Sequence, residues 1–200
     1  MKSSEEFHHT KASKFLKDYT GSLTTALRAV DEGIFNMVVK KVLDCLSRDG
    51  SLFFCGNGGS AAIADHFVCD YMKGISAKSS LNPKVFSLNS NIPIYSAIAN
   101  DIDFDEVFSY QIDKMARSGD LLITVSSSGN SANIVNAIRK AKEKNVDTIS
   151  LSGFDGGRSS ESSVHLNVPS YNYGIVEDAH HALLHSIVQF IGISGFEVDD

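Results

Sequence analysis

The stretch "FFCGNGGSAAIADHFVCDYM", Phe53 to Met72, decides the fold. A short apolar run ends in a glycine-rich turn. The turn opens into a segment of helical composition that carries Asp65, His66 and Asp70. A strand that runs through glycine into a helix is the junction of a parallel α/β unit, because parallel strands need a crossover and the helix supplies it.

Working outward, the same alternation repeats. "SLFFC", "KVFSL", "DLLITVS", "VDTISLS" and "SVHLNVP" read as five short buried strands. Helical segments fall between them, at residues 60–72, 94–99, 107–116 and 131–144, and "GIVEDAHHALLHSIVQFIG" closes the chain as a helix. Short apolar strands separated by helices imply a sheet covered on both faces. The expected fold is therefore α/β: a doubly wound, three-layer α/β/α architecture with a five-stranded parallel sheet. Ahead of it, Leu23, Leu27, Val30, Ile34, Met37, Val38, Val42 and Leu46 recur at helical spacing, and Gly50 stops the run. No repeat or linker divides the chain, so one domain spans residues 1–200, with an added N-terminal helical segment, 1–48, and an α/β core, 49–200.

Composition removes several function classes. The 200 residues are 42% hydrophobic with a formal charge of −6, and no Lys/Arg cluster offers a footprint for nucleic acid. No apolar run is long enough to span a membrane, and "MKSSEEFHHTKASKF" lacks the apolar core of a signal peptide. Cys45, Cys55 and Cys69 form no C-x-x-C pair. They read as reduced thiols of a cytoplasmic protein, Cys69 as part of the core, and zinc held by thiolates is not expected.

Two strand ends carry chemistry. "CGNGGSAA" follows the first strand and "SSSGNSAN" the third. Glycine allows a ligand close to the backbone, and free N–H groups at the next helix start favour an anion. Ser126, Ser127, Ser128 and Ser131 add hydroxyl donors suited to phosphate. Neither loop contains the G-K-[ST] of a Walker A motif or the G-x-G-x-x-G of dinucleotide binding. A lone loop of this kind is as well explained by helix capping; two at different strand ends of one sheet favour the anion. His66 and Asp70 lie four residues apart and share a helix face, either as a solvated pair or as two metal ligands.

Taken together, "CGNGGSAAIADHF", "AND" at 99–101, "SSSGNSANIVNAI", "LSGFDGG" and "EDAHHALLHSIVQFI" resemble the phosphoheptose isomerases, bacterial sedoheptulose-7-phosphate isomerases of the sugar isomerase (SIS) family. The resemblance covers nearly the whole chain. It implies a SIS fold, an aldose–ketose isomerase, a cytoplasmic homotetramer with active sites at subunit interfaces, in which the N-terminal segment packs, and frequently zinc. Ser126, Ser127, Ser128 and Ser131 would then hold the sugar phosphate. Asn57, Gly58, Gly59, Ser60, Asp101 and Glu177 would contact the substrate, Asp70 and His185 would be catalytic, and His66, Asp70, Glu177 and His185 would hold the metal.

The chain departs from the family pattern at several of these positions. Asp70 stands where relatives have glutamate, Glu177 where they have glutamine, Ile175 where many have arginine, and Ala61 where some have histidine. His181 lies four residues from both Glu177 and His185, so the spacing also admits a ligand set Glu177–His181–His185. His180 matches a histidine of the family's last helix. Three functions follow: conversion of sedoheptulose 7-phosphate to a heptose 7-phosphate for envelope or capsule synthesis, isomerisation of a different phosphosugar, and a non-catalytic regulator that binds a sugar phosphate or a partner protein.

Overall fold

The structure, a computed structural model, describes residues 10–193; His8 and His9 lie outside them. Two helices, α1 (Ala12–Arg28) and α2 (Glu32–Ser47), precede the sheet. Strands β1 (Ser51–Gly56), β2 (Lys84–Ser87), β3 (Leu121–Ser126), β4 (Asp147–Ser152) and β5 (Val164–Asn167) alternate with α3 (Gly59–Cys69), α4 (Ile92–Asp101), α5 (Ser109–Met115), α6 (Ala132–Glu143) and α7 (Tyr173–Ile191). The expected three-layer α/β architecture with a five-stranded parallel sheet is present.

The strands lie in the order β2-β1-β3-β4-β5 and every pairing is parallel. The chain leaves β1 for β2 on one side and returns to β3 on the other. The carboxyl ends of β1 and β3 therefore flank the point where the winding reverses, the usual ligand crevice of such sheets. Both small-residue loops sit there. Alternate residues of β1 serve opposite layers: Leu52 and Phe54 join the core under α2, α3 and α7, whereas Phe53 and Cys55 join the core under α4, α5 and α6.

Three local features differ from the periodic reading. The N-terminal stripe is two helices, because Asp31 caps α2 by accepting a hydrogen bond from the Ile34 N–H at 2.8 Å and breaks the run. The helix after β1 continues past Cys69 into a π-helical turn, Asp70–Ile75. Cys69, expected in the core, is exposed, while Cys45 and Cys55 are buried. Burial pushes both buried thiols up, Cys45 to about 12, which leaves them inert.

The last helix is fastened at both layers. The Tyr19 hydroxyl of α1 donates to Asp178 Oδ2 at 2.7 Å. His180 is fully buried, and its Nε2–H donates to the Ser152 carbonyl at the end of β4, at 3.1 Å. Among the described residues its Nδ1 has no partner. Burial pushes the His180 imidazole from 6.5 down to about 4. The unfolded chain therefore takes up this proton first, and stability is full above about pH 6.5 and falls as pH drops towards about 4. Thermal melts across that window should show a loss approaching roughly 3 kcal/mol from this group. His165, also pushed down by burial, adds in the same direction. His180→Gln should flatten the slope; an unchanged slope in that variant would show that His180 does not carry it.

Candidate active site

The reversal point holds a cleft of about 190 Å³ lined by Asn57, Ser60, Ser126, Ser127, Ser128, Ser131, Tyr173 and Glu177. Among the described residues no lysine or arginine lines it; its polar wall is made of serine hydroxyls, the Asn57 amide and the Glu177 carboxylate. The serine loop is tightly turned. Gly129 takes a φ of +63°, and a Cβ there would stand 2.0 Å from the Gly156 carbonyl oxygen. The Gly129 N–H donates to Ser126 Oγ at 3.2 Å, and the Asn130 N–H to Ser128 Oγ at 3.3 Å. Ser131 precedes α6 but spends no hydroxyl on capping it. Ser127 Oγ is buried with no hydrogen-bond partner among the described residues. A buried polar atom left without a partner is costly, and this hydroxyl borders the cleft.

The first loop completes the cleft. Gly58, with a φ of +55°, starts α3. At Gly59 a Cβ would stand 2.7 Å from Glu177 Oε2, so only glycine lets the Glu177 carboxylate rest against the start of α3, where the helix dipole favours it. Burial, and then the neighbouring Asp178, raise the Glu177 pKa. Asn57 exchanges two hydrogen bonds with Asn133 of α6, at 2.9 and 3.0 Å, which lock one loop to the other. Asn133 is a supporting residue that the sequence reading did not single out, although it lies inside the quoted motif. Tyr173 was also missed, since nothing local marks a tyrosine at a helix start as cleft wall. Asp101 ends α4, exposed, where it accepts a hydrogen bond from Asn100 at 2.7 Å; it does not line this cleft.

Farther along α3 and α7 a second group forms. His66 Nε2, His185 Nε2 and Asp70 Oδ2 stand 3.1 to 3.3 Å from one another. Each ring N–H can point at only one neighbour, so hydrogen bonding satisfies this triangle in part. Donors 2.1 Å from a tetrahedral zinc would stand about 3.4 Å apart, close to the observed spacing. His66, Asp70 and His185 could hold a metal ion. Glu177 lies with the serine cleft and outside this group.

Comparison with known proteins identifies the family. Residues 14–153 match the SIS domain family. The chain belongs to that family. A phosphoheptose isomerase of Colwellia psychrerythraea is 38% identical over 163 residues, 80% of this chain and 83% of the relative. The structure of a phosphoheptose isomerase from Neisseria gonorrhoeae superposes with a TM-score of 0.80 at 32% identity, covering 90% of this chain and 95% of the other. One from Francisella tularensis gives 0.81 at 24% identity, covering 91% and 98%, and supports the fold. This SIS protein is thus phosphoheptose isomerase-like.

In this SIS protein the remaining helix histidines divide their roles. His180 faces the core. His181 lies beside the His66–Asp70–His185 group, its ring centroid 5.4 Å from that of His66 and 5.9 Å from that of His185. Burial, then His66 and His185, lower its pKa.

Because the Ser127 hydroxyl is unpartnered, Ser127→Ala should leave the melting temperature of the free protein equal or higher. It should weaken binding of inorganic phosphate or a sugar phosphate by about tenfold, the scale of one lost hydrogen bond. Melting with and without ligand measures both. Unweakened binding would remove Ser127 from the site.

Proposed function

We propose that this protein is a ketose–aldose isomerase that converts sedoheptulose 7-phosphate to D-glycero-D-manno-heptose 7-phosphate through an enediol(ate), for envelope or capsule heptose synthesis. The observation that carries the reading is the pairing of a cation-free serine cleft with a His66–Asp70–His185 group on the same two helices. Along α3, Ser60 and His66 are separated by about 9 Å of helix axis, and along α7 Glu177 and His185 by about 12 Å. That is the scale of an extended sugar phosphate laid with its phosphate in the serine loop and its carbonyl end beside the histidines. The 38% identity to a phosphoheptose isomerase supports the same assignment.

Isomerisation moves a proton from the carbon beside the carbonyl to its neighbour and shifts protons on the two oxygens. Asp70 serves as the base. Both imidazoles meet its Oδ2, which leaves Oδ1 to take the carbon-bound proton. His185, 3.1 Å from Asp70 Oδ2, returns a proton to oxygen. Serine hydroxyls and the N-terminus of α6 hold the phosphate, and Glu177 orients the sugar hydroxyls between the two ends. A zinc ion bound by His66, Asp70 and His185 would supply Lewis acidity to the sugar oxygens.

The exposed position of His66 fits a site completed by a neighbouring subunit of a homotetramer. So does a groove beside edge strand β2 lined by Phe86, Ile94, Tyr110 and Met115, all exposed apolar side chains. Three free cysteines suit the cytoplasm. The aspartate at position 70 and glutamate at position 177 favour a second reading, the same chemistry on a different phosphosugar, because a carboxylate one methylene shorter reaches about 1 Å less far and positioned catalysis is sensitive to that distance.

Proton NMR with sedoheptulose 7-phosphate in deuterated buffer should show new heptose signals carrying deuterium beside the carbonyl. Asp70→Asn should lower turnover by about 10²- to 10⁴-fold while phosphate-dependent binding persists. Exchange on another phosphosugar alone would establish the second reading. Binding with no exchange on any phosphosugar would sink the isomerase and leave a regulator.

A further inference from the structure

The triangle of His66, Asp70 and His185 has a neighbour of the same chemistry. His181 precedes His185 by four residues on α7, as His66 of α3 precedes by four Asp70, the first residue of the π-helical turn that continues that helix. Side chains so spaced share one helix face, and two histidines at this spacing are a recurrent zinc-binding pair. We propose that His181 is the fourth protein donor of a divalent metal site formed with His66, Asp70 and His185, each of the two helices supplying one such pair. The inference rests on the reading of the triangle as a metal site and assigns its remaining ligand.

Ring positions carry the argument. Two imidazoles sharing one tetrahedral zinc through bonds of about 2.1 Å place their centroids about 5 Å apart. The observed separations are 5.2 Å for His66–His185, 5.4 Å for His66–His181 and 5.9 Å for His181–His185. All three centroid separations thus lie within about 1 Å of the spacing that a shared ion would set. The His181 nitrogens stand outside the tight triangle of ligand atoms, and because the residue is only partly buried, rotation about its side-chain bonds can bring one inward. Phe67, fully buried, supports both α7 rings from below, at 5.6 Å from His181 and 4.9 Å from His185.

Glu177, one turn before His181, is the alternative donor, and the structure engages it elsewhere. Its carboxylate lies against Gly59, where a Cβ would be 2.7 Å away, and it lines the serine cleft. The two ligand sets also differ in charge. With Glu177 the site holds two carboxylates and a divalent ion is neutralised. With His181 it holds one carboxylate, and a net positive charge remains to attract an anionic phosphosugar.

The test uses the purified full chain, stripped of metal and titrated with zinc against a chromophoric chelator, and with cobalt monitored by visible absorption. His181→Ala should weaken zinc binding by at least about 100-fold, since even residues that only support a ligand cost 10- to 100-fold, and should diminish the intense tetrahedral cobalt bands. Glu177→Gln should keep both. His181→Cys should add a sulfur-to-cobalt charge-transfer band, which a thiol at this position shows only when it reaches the ion. If His66→Ala loses the metal while His181→Ala keeps wild-type affinity and spectrum, and His181→Cys shows no such band, His181 is no ligand and the three-residue site stands. If the wild-type chain binds neither ion, the metal reading fails and this inference with it.

Discussion

Strand β1 is buried on both faces and paired on both edges, and the site depends on where that strand ends. Its neighbours β2 and β3 are reached by crossovers in opposite directions, so the loops leaving β1 and β3 diverge onto opposite layers and open a crevice between them. Helices α3 and α6 both start at that crevice. Gly59 and Gly129 let other groups approach where a Cβ would collide, at 2.7 Å with the Glu177 carboxylate and at 2.0 Å with the Gly156 carbonyl. The reciprocal Asn57–Asn133 bonds then hold the two loops at a fixed separation.

Helix α7 is the second element the chemistry requires. It brings Glu177 to the cleft and His181 and His185 to α3. Its position is set by groups that touch no ligand: Ile175, Val176, Leu184 and Ile187 in the core, His180 on the Ser152 carbonyl, and Asp178 under the Tyr19 hydroxyl. The Tyr19 contact also makes α1 part of the support of the site helix. Burial holds the Tyr19 hydroxyl protonated, its pKa pushed up to about 12, so it remains a donor at any working pH.

The two ends of the site work by different physics. The serine cleft combines uncharged hydroxyls with one carboxylate, Glu177, and contains no cationic side chain among the described residues. The histidine–aspartate triangle gathers two imidazole nitrogens and a carboxylate oxygen at 3.1 to 3.3 Å, a group that could hold a metal ion.

Much of this was legible in the sequence. Short apolar strands alternating with helices specify a parallel sheet because period and length are local properties. Glycine and serine at two strand ends locate the loops, and i,i+4 spacing places His66 with Asp70. The break at Asp31 was obscured because apolar spacing continues across the cap, and Cys69 was misjudged because its apolar character outweighed its position, off the stripe of Ser60, Ile63, Ala64 and Phe67 that α3 buries. Tertiary structure alone decided which distant groups meet. No spacing places His185 3.1 Å from His66, Glu177 against Gly59, or Asp101 outside the cleft. Those distances depend on the angle and rotation at which α7 packs on the sheet, which follow from the fit of the whole core.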